Sequence, residues 1–372
     1  MPRAANPVVV VGGGVVGSAV TYVLARRGMG ALLLEAEDEL ALAASGTNSG
    51  ILHTGFDSPP GELETRLILR SARLRDAVLA ELGVPVLRCG AVMRGDAATI
   101  AALAAGARAN GVAVSQREDG SLYVPGEAVT DPVAYTLALA AAAVAAGAEV
   151  RTRARVEAID QTGERLVLHA SGEAFACEFA VNCAGLHADE LARLVGDDSF
   201  AIYPRKGEFL VFDPPGGRGL AEILLPVPTK RTKGVLVFPT IDGKVVAGPT
   251  ARDQQDKGDW AVRDEGRAEV LAKAAAMLPA LAGSEPIAAY AGLRPAGRDV
   301  NYVIGPSPRC TRLINVAAIR STGLTASLGI AEHVVGLLAE QGLALEPDRP
   351  VPPGPVADSS RPWWRRAAER RP

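Results

Sequence analysis

The sequence predicts an α/β chain, α+β overall, in which a parallel, doubly wound layer is interrupted by a lobe of mainly antiparallel strands. Three observations carry that expectation. A run of β-branched residues, Val8–Val11, leads into Gly12, Gly14 and Gly17 and then into an apolar helical pattern. A second unit of strand, glycine and helix returns at Phe179–Cys183, Ala184-Gly185 and Ala188–Leu194. Over 149–177 the pattern becomes short strands, and over 201–246 segments alternate apolar and polar positions with frequent Pro and Gly.

The chain as a whole sets limits. With 372 residues, 48% hydrophobic and 22% charged, it can bury a large core, as two domains or as two lobes threaded through each other, and wholesale disorder is excluded. A net charge of −3 gives no general pull towards nucleic acid, so affinity for an anion must come from a local cluster. Cys89, Cys177, Cys183 and Cys310 form no C-x-x-C and no histidine pairing at metal spacing, which predicts reduced thiols in a cytoplasmic protein and no metal site. Val8–Ala25 carries no charge, but glycines fill its first half and Arg26 and Arg27 follow the run instead of preceding it. Neither a membrane span nor an export signal is expected there.

Taken in order, the first unit reads as a dinucleotide site. Gly12 lets the chain turn, Gly14 leaves space for backbone to approach a pyrophosphate, and Gly17 lets the helix sit close on its strand. Val15 and Val16 open that helix, whose N–H groups and dipole face an anion. Ala31–Leu34 is a second apolar strand ending in Glu35, eighteen residues beyond Gly17, with Ala36 next to it. A carboxylate at such a tip accepts both ribose hydroxyl protons. The loop SGTNSGILHTGFDSPPG, Ser45–Gly61, is too small and polar to build a core and has the composition of a segment lying over a ligand.

Helices are expected over Glu62–Leu82, Ala97–Asn110 and Asp264–Met277, and a strand over Val86–Met93. Asp131-Pro132 supplies an N-cap and a first-turn proline for a helix running to Ala146. Ile287–Arg294 and Ile314–Ala318 read as strands, and Thr325–Glu340 as the last strong helix, with Gly323 just before it. Residues 346–372 turn to proline and arginine and read as a disordered tail, in which Trp363 and Trp364 with Arg365, Arg366, Arg370 and Arg371 offer a weak peripheral contact to an anionic membrane.

GGGVVG with Glu35, NCAGLHADELA at Asn182–Ala192, and AGLRPAG with RSTGLTAS resemble, in that order, the motifs of the D-amino-acid-oxidase-type FAD-dependent oxidoreductases, within the glutathione-reductase superfamily. The likeness runs from Val8 to Glu340. NSGILHTGFDSPPG and PVPTKRTKGVLVFPTIDGKVVAGPTA are most similar to the glycerol-3-phosphate oxidase and dehydrogenase branch. The HTG and PPG segments are also similar to L-2-hydroxyglutarate oxidases and dehydrogenases. The longer glycerol-3-phosphate dehydrogenases carry an extra C-terminal domain for which this chain lacks the length and the cysteines.

The resemblance implies a Rossmann-like FAD-binding domain of residues 1–82, 131–200 and 287–345, and an interleaved substrate domain of 83–130 and 201–286. It implies FAD as cofactor and a small anionic secondary alcohol as substrate, first glycerol 3-phosphate, with oxygen or a quinone as acceptor. Oxidation of L-2-hydroxyglutarate or another 2-hydroxy acid, oxidation of an amine or amino acid, and flavin binding without turnover are the alternatives. His53 is implied as the base, Arg294 as the fork that grips a carboxylate or phosphate beside Gly292, and Lys230 or Lys233 as a phosphate contact. Ser45, Gly46, Thr47, Asn48 and Ser49 are implied to touch the cofactor, Val156 to lie beside its adenine, and Ala184, Gly185 and Gly292 to line its site. Ser321, Thr322, Gly323, Leu324 and Thr325 are implied to hydrogen-bond the flavin ring from the start of the last helix. His169, His187 and His333 read as structural.

Overall fold

The computed structural model describes residues 6–228, 234–355 and 361–370. At its centre Val8–Val11 pairs in parallel with Ala31–Leu34 on one side and Phe179–Asn182 on the other. The six-stranded sheet is completed by Glu149–Arg151 beyond Ala31–Leu34, by Leu313–Ala317 beyond Phe179–Asn182, and by an antiparallel edge strand, Val303–Pro306. Alternate residues explain why the central strand is apolar throughout. Val8 and Val10 face a helical layer in which Val15–Arg26, Leu63–Glu81, Pro132–Ala145 and Gly323–Glu340 pack together. Val9 and Val11 face the opposite side, covered by the three-stranded antiparallel sheet Val156–Thr162, Arg165–Ala170 and Glu173–Cys177. A strand covered on both faces has no polar side to show.

The start of the helix Pro132–Ala145 follows from its sequence: Asp131 Oδ1 accepts from the backbone N–H of Val133 at 2.8 Å and of Ala134 at 2.9 Å, while Pro132 fills the first helical position. Asp131→Ala is expected to lower stability by about 1 kcal/mol. A fall in the urea midpoint at unchanged slope is the measurement that checks it.

The second lobe is built on a nine-stranded sheet whose longest pairing runs antiparallel between Ile202–Phe212 and Ala288–Gly297, with Arg205 opposite Arg294. The sequence-based division places 287–297 with the FAD-binding domain; in the structure Ala288–Gly297 belongs to this large sheet, because its partner strand is the one that opens the second lobe. The single strand expected over Val86–Met93 is two, Val86–Leu87 and Ala91–Met93, separated at Gly90, whose φ of +66° turns the chain.

The larger correction concerns the end of the chain. Trp363–Arg370 is a helix, not disordered chain, and both tryptophans are buried. Trp363 meets the ring of Tyr290 edge-on, with centroids 5.5 Å apart, and Tyr290 stacks on Phe209 at 4.8 Å. Trp364 Nε1 donates to Asp242 Oδ2 at 3.0 Å. Arg366 pairs with Glu39 at 3.0 Å and Arg370 pairs with Asp38, so the helix also holds the segment that follows Glu35. Composition alone hides the reason: Trp363, Trp364 and Ala367 form an apolar stripe at helical spacing that completes the core of the second lobe. With their rings enclosed, the tryptophans are not presented to a membrane. Among the described residues no helix is long and apolar enough to cross one.

Candidate active site

Two cavities meet between the sheets. The larger, about 720 Å³, opens at the carboxyl end of the central strand. Gly12 has φ +112°, and a side chain there would strike the carbonyl of Cys183; a Cβ on Gly17 would strike the carbonyl oxygen of Gly12. These two positions therefore require glycine. Gly14 is the N-cap of the helix Val15–Arg26, with no side chain of its own to cap it. The Val15 N–H donates to Ser45 Oγ at 2.9 Å and the Gly13 N–H to Glu35 Oε2 at 2.6 Å. Among the described residues the Gly14 and Val16 amides have no protein partner. A pair of free donors at a helix N-terminus is an anion cradle.

Glu35 is held ready, because its Oε1 also accepts from the Glu37 N–H at 2.8 Å. Ala36, Asn48, Val156, Ala184 and Gly185 line the same cavity, and Gly323 and Leu324 reach it from the start of the last long helix. Gly17 and Gly46 line neither cavity: a Cβ on Gly46 would strike the Ala41 carbonyl, so both serve close backbone packing. His187, read as structural from sequence, lies on the cavity wall with its Nδ1 2.9 Å from Glu190 Oε2. Lys257 bonds Asp189 at 2.9 Å and Glu190 at 2.7 Å, tying the second lobe across the rim. His169 is remote, on a strand beside Asp160.

The smaller cavity, about 370 Å³, shares Ala44, Asn48 and Arg320 with the larger, so the two are contiguous. Thr47, Ser49, His53, Gly292, Arg294, Ser321 and Thr322 line it, bringing together residues that are far apart in sequence. Thr325 stands behind them: its Oγ1 accepts the His53 N–H at 3.1 Å. The His53 ring Nδ1 lies 2.8 Å from Oε2 of Glu127, a carboxylate with no exposure to solvent. Glu127 Oε1 in turn accepts from the Thr54 N–H at 2.6 Å and the Thr54 hydroxyl at 2.9 Å. Buried Arg75 donates to the His53 carbonyl at 2.6 Å.

Arg294 is fixed by backbone. Its Nε donates to the Arg205 carbonyl at 3.1 Å, and Nη2 to the carbonyls of Lys206 at 3.1 Å and Thr250 at 2.7 Å. A Cβ on Gly207 would stand 2.9 Å from Nη2, so the glycine makes room for the fork. Burial pushes the guanidinium down to about 10, which leaves it cationic at neutral pH. Nη1 has no protein partner among the described residues and remains for a ligand. Lys230 and Lys233 lie outside the described residues.

Sequence reasoning missed Glu127 and Arg320. Arg320 lines both cavities at φ +53° and pairs with Glu64 at 2.9 Å, a carboxylate that also accepts from Thr322 Oγ1 at 2.8 Å. The available signal for Glu127 was a lone acid against the apolar strand Ala128–Thr130, since a carboxylate buried with such a strand needs a partner.

Residues 7–337 match the family model of DAO, FAD dependent oxidoreductase. The chain belongs to that family. Among its relatives, a glycerol 3-phosphate dehydrogenase of Caloramator mitchellensis is 28% identical over 351 residues, 89% of this chain and 73% of that one. A glycerol 3-phosphate oxidase of Mycoplasma pneumoniae is 27% identical over 360 residues, 89% and 94% of the two chains. The human mitochondrial L-2-hydroxyglutarate dehydrogenase is 28% identical over 279 residues, 66% of this chain and 60% of its own length. The solved structure of dithionite-reduced L-alpha-glycerophosphate oxidase from Mycoplasma pneumoniae with FAD bound superposes with a TM-score of 0.87 at 25% identity, covering 94% of this chain and 97% of that one.

The DAO-family resemblance seen in the motifs therefore holds, and with it the Rossmann-like fold and FAD as the family's cofactor. The residues present fit that group. The tight glycine turn, the two free amides and the poised Glu35 carboxylate match a pyrophosphate and a ribose.

Proposed function

We propose that this DAO-family oxidoreductase oxidises the CH–OH group of a small anionic substrate, with glycerol 3-phosphate as first choice and dihydroxyacetone phosphate as product. The observation that carries the reading is a histidine and a cationic fork facing one small cavity that runs into the cofactor cavity. FAD, when bound, accepts the hydride from the substrate carbon. His53 takes the hydroxyl proton as the carbonyl forms; Nδ1 is engaged by Glu127, so the nitrogen left for substrate is Nε2. Arg294 Nη1 holds the anionic end and orients the carbon. The amides at the start of Gly323–Glu340, which has no side-chain cap, supply fixed positive dipole for charge gathering on the reduced ring. Lys230 or Lys233 adds a second contact to a phosphate.

The relatives support the substrate class: two act on glycerol 3-phosphate and one on L-2-hydroxyglutarate by name. A 2-hydroxy acid is accordingly the second reading, in which Arg294 grips a carboxylate. The test is anaerobic mixing of the purified flavoprotein with glycerol 3-phosphate, L-2-hydroxyglutarate and a panel of amino acids, followed at the flavin absorbance band. Bleaching fastest with glycerol 3-phosphate is expected, and ready reduction by an amino acid alone would move the reaction to carbon–nitrogen oxidation. Readmitting air and assaying peroxide separates oxygen from a quinone as acceptor. The double variant Lys230→Ala, Lys233→Ala should slow phosphate substrates selectively; equal loss on 2-hydroxy acids would remove the lysines from the site.

A further inference from the structure

We infer that Glu127 is the positioning residue that keeps the proton of the neutral His53 ring on Nδ1, and so keeps Nε2 free as a base. The inference rests on His53 being the base proposed above, and it goes beyond it by naming what makes that ring competent.

Glu127 accepts two hydrogen bonds from Thr54 and faces the charge of Arg75, the surroundings of a carboxylate. A carboxylate can only accept, so the 2.8 Å contact between Oε2 and Nδ1 places the ring proton on Nδ1. Several contacts fix which oxygen faces the ring. Thr54 donates twice to Oε1, from its N–H and its hydroxyl, and the carboxylate is fully enclosed. Arg75, itself buried, supplies a positive charge near Glu127 and clamps the His53 backbone through its carbonyl, so both the ring and its partner are held from behind. Thr325 Oγ1 fixes the His53 N–H from the last long helix.

This geometry makes Glu127→Gln an informative change, because the amide has one accepting end and one donating end. The Thr54 N–H and hydroxyl still need an acceptor, so the amide oxygen takes the Oε1 place and the NH₂ is turned towards Nδ1. The ring then accepts at Nδ1 and must carry its proton on Nε2, the nitrogen the reaction needs bare. The corresponding Asp→Asn change in catalytic triads acts in this way, at roughly 10⁴-fold in rate.

Two measurements test it. Long-range ¹H–¹⁵N correlation spectra of the four histidine rings, recorded on the FAD-loaded protein at alkaline pH with the His53 signals assigned by their absence in His53→Asn, should show Nδ1–H and bare Nε2 in the wild type, and the reverse in Glu127→Gln. In anaerobic stopped flow, Glu127→Gln should lower the limiting rate of flavin reduction by at least about 100-fold while moving the substrate dissociation constant by less than about threefold. A wild-type ring protonated on Nε2, or a Glu127→Gln variant with wild-type tautomer and rate, overturns the inference. Should the variant fail to retain FAD, the wild-type spectrum decides alone. The spectra need no substrate, so a wild-type protein that oxidises nothing offered defeats the proposed function and leaves the tautomer result to stand or fall separately.

Discussion

His53→Asn should slow substrate-driven flavin reduction by about 10²–10⁴-fold, the range for loss of a general base, with bound FAD retained. The side chain lines the smaller cavity, while its backbone N–H and carbonyl are held by Thr325 and Arg75. Asparagine keeps those backbone bonds and puts a polar group near Glu127, so folding and cofactor binding should survive the change. What disappears is the ring nitrogen that takes the substrate proton in the proposed reaction. Stopped-flow reduction under argon measures the rate, and reduction by dithionite at wild-type speed confirms an intact flavin site. A His53→Asn enzyme within threefold of wild type would require another base in the cavity.

Trp363→Ala is expected to destabilise the protein by about 3–5 kcal/mol, as for a large aromatic removed from a packed core. Trp363 is 1% exposed, and its edge contact on Tyr290 extends through the stacked ring of Phe209 to the wall of the smaller cavity. Among the described residues its Nε1 has no hydrogen-bond partner, so Trp363→Phe keeps an aromatic ring at the contact and removes an unpaired donor. The phenylalanine variant leaves a smaller cavity and should therefore cost less than the alanine variant. Urea unfolding followed by far-ultraviolet circular dichroism compares the three proteins. Equal stability of the alanine variant and wild type would mean that the C-terminal helix leaves this site in solution.

What could be read from the sequence was what local sterics impose. Gly12 and Gly17 stand where backbone crosses backbone, and the helix Asp264–Met277 begins and ends at the residues its pattern predicts. The Asp131-Pro132 cap likewise needs only its own turn. The candidate site was legible only as single residues, through the family likeness. Glu127 is 74 residues from His53, and Arg320 is 256 residues from Glu64, and no periodicity encodes such pairs. Arg294 reads as a free fork from its small neighbours, whereas three carbonyls supplied by other strands and loops aim it. The tryptophans were lost to averaging, since a short apolar stripe vanishes in a window dominated by proline and arginine.

The order of strands in the central sheet bears on how the chain acquires its shape during synthesis. Val8–Val11 precedes the other strands of the layer, yet one of its two neighbours is Phe179–Asn182, whose own far neighbour is Leu313–Ala317. The layer cannot close until Leu313–Ala317 has also been made. High contact order of this kind slows folding and leaves strand edges open to wrong pairing. Refolding of the denatured chain is therefore expected to be limited by the meeting of these distant strands.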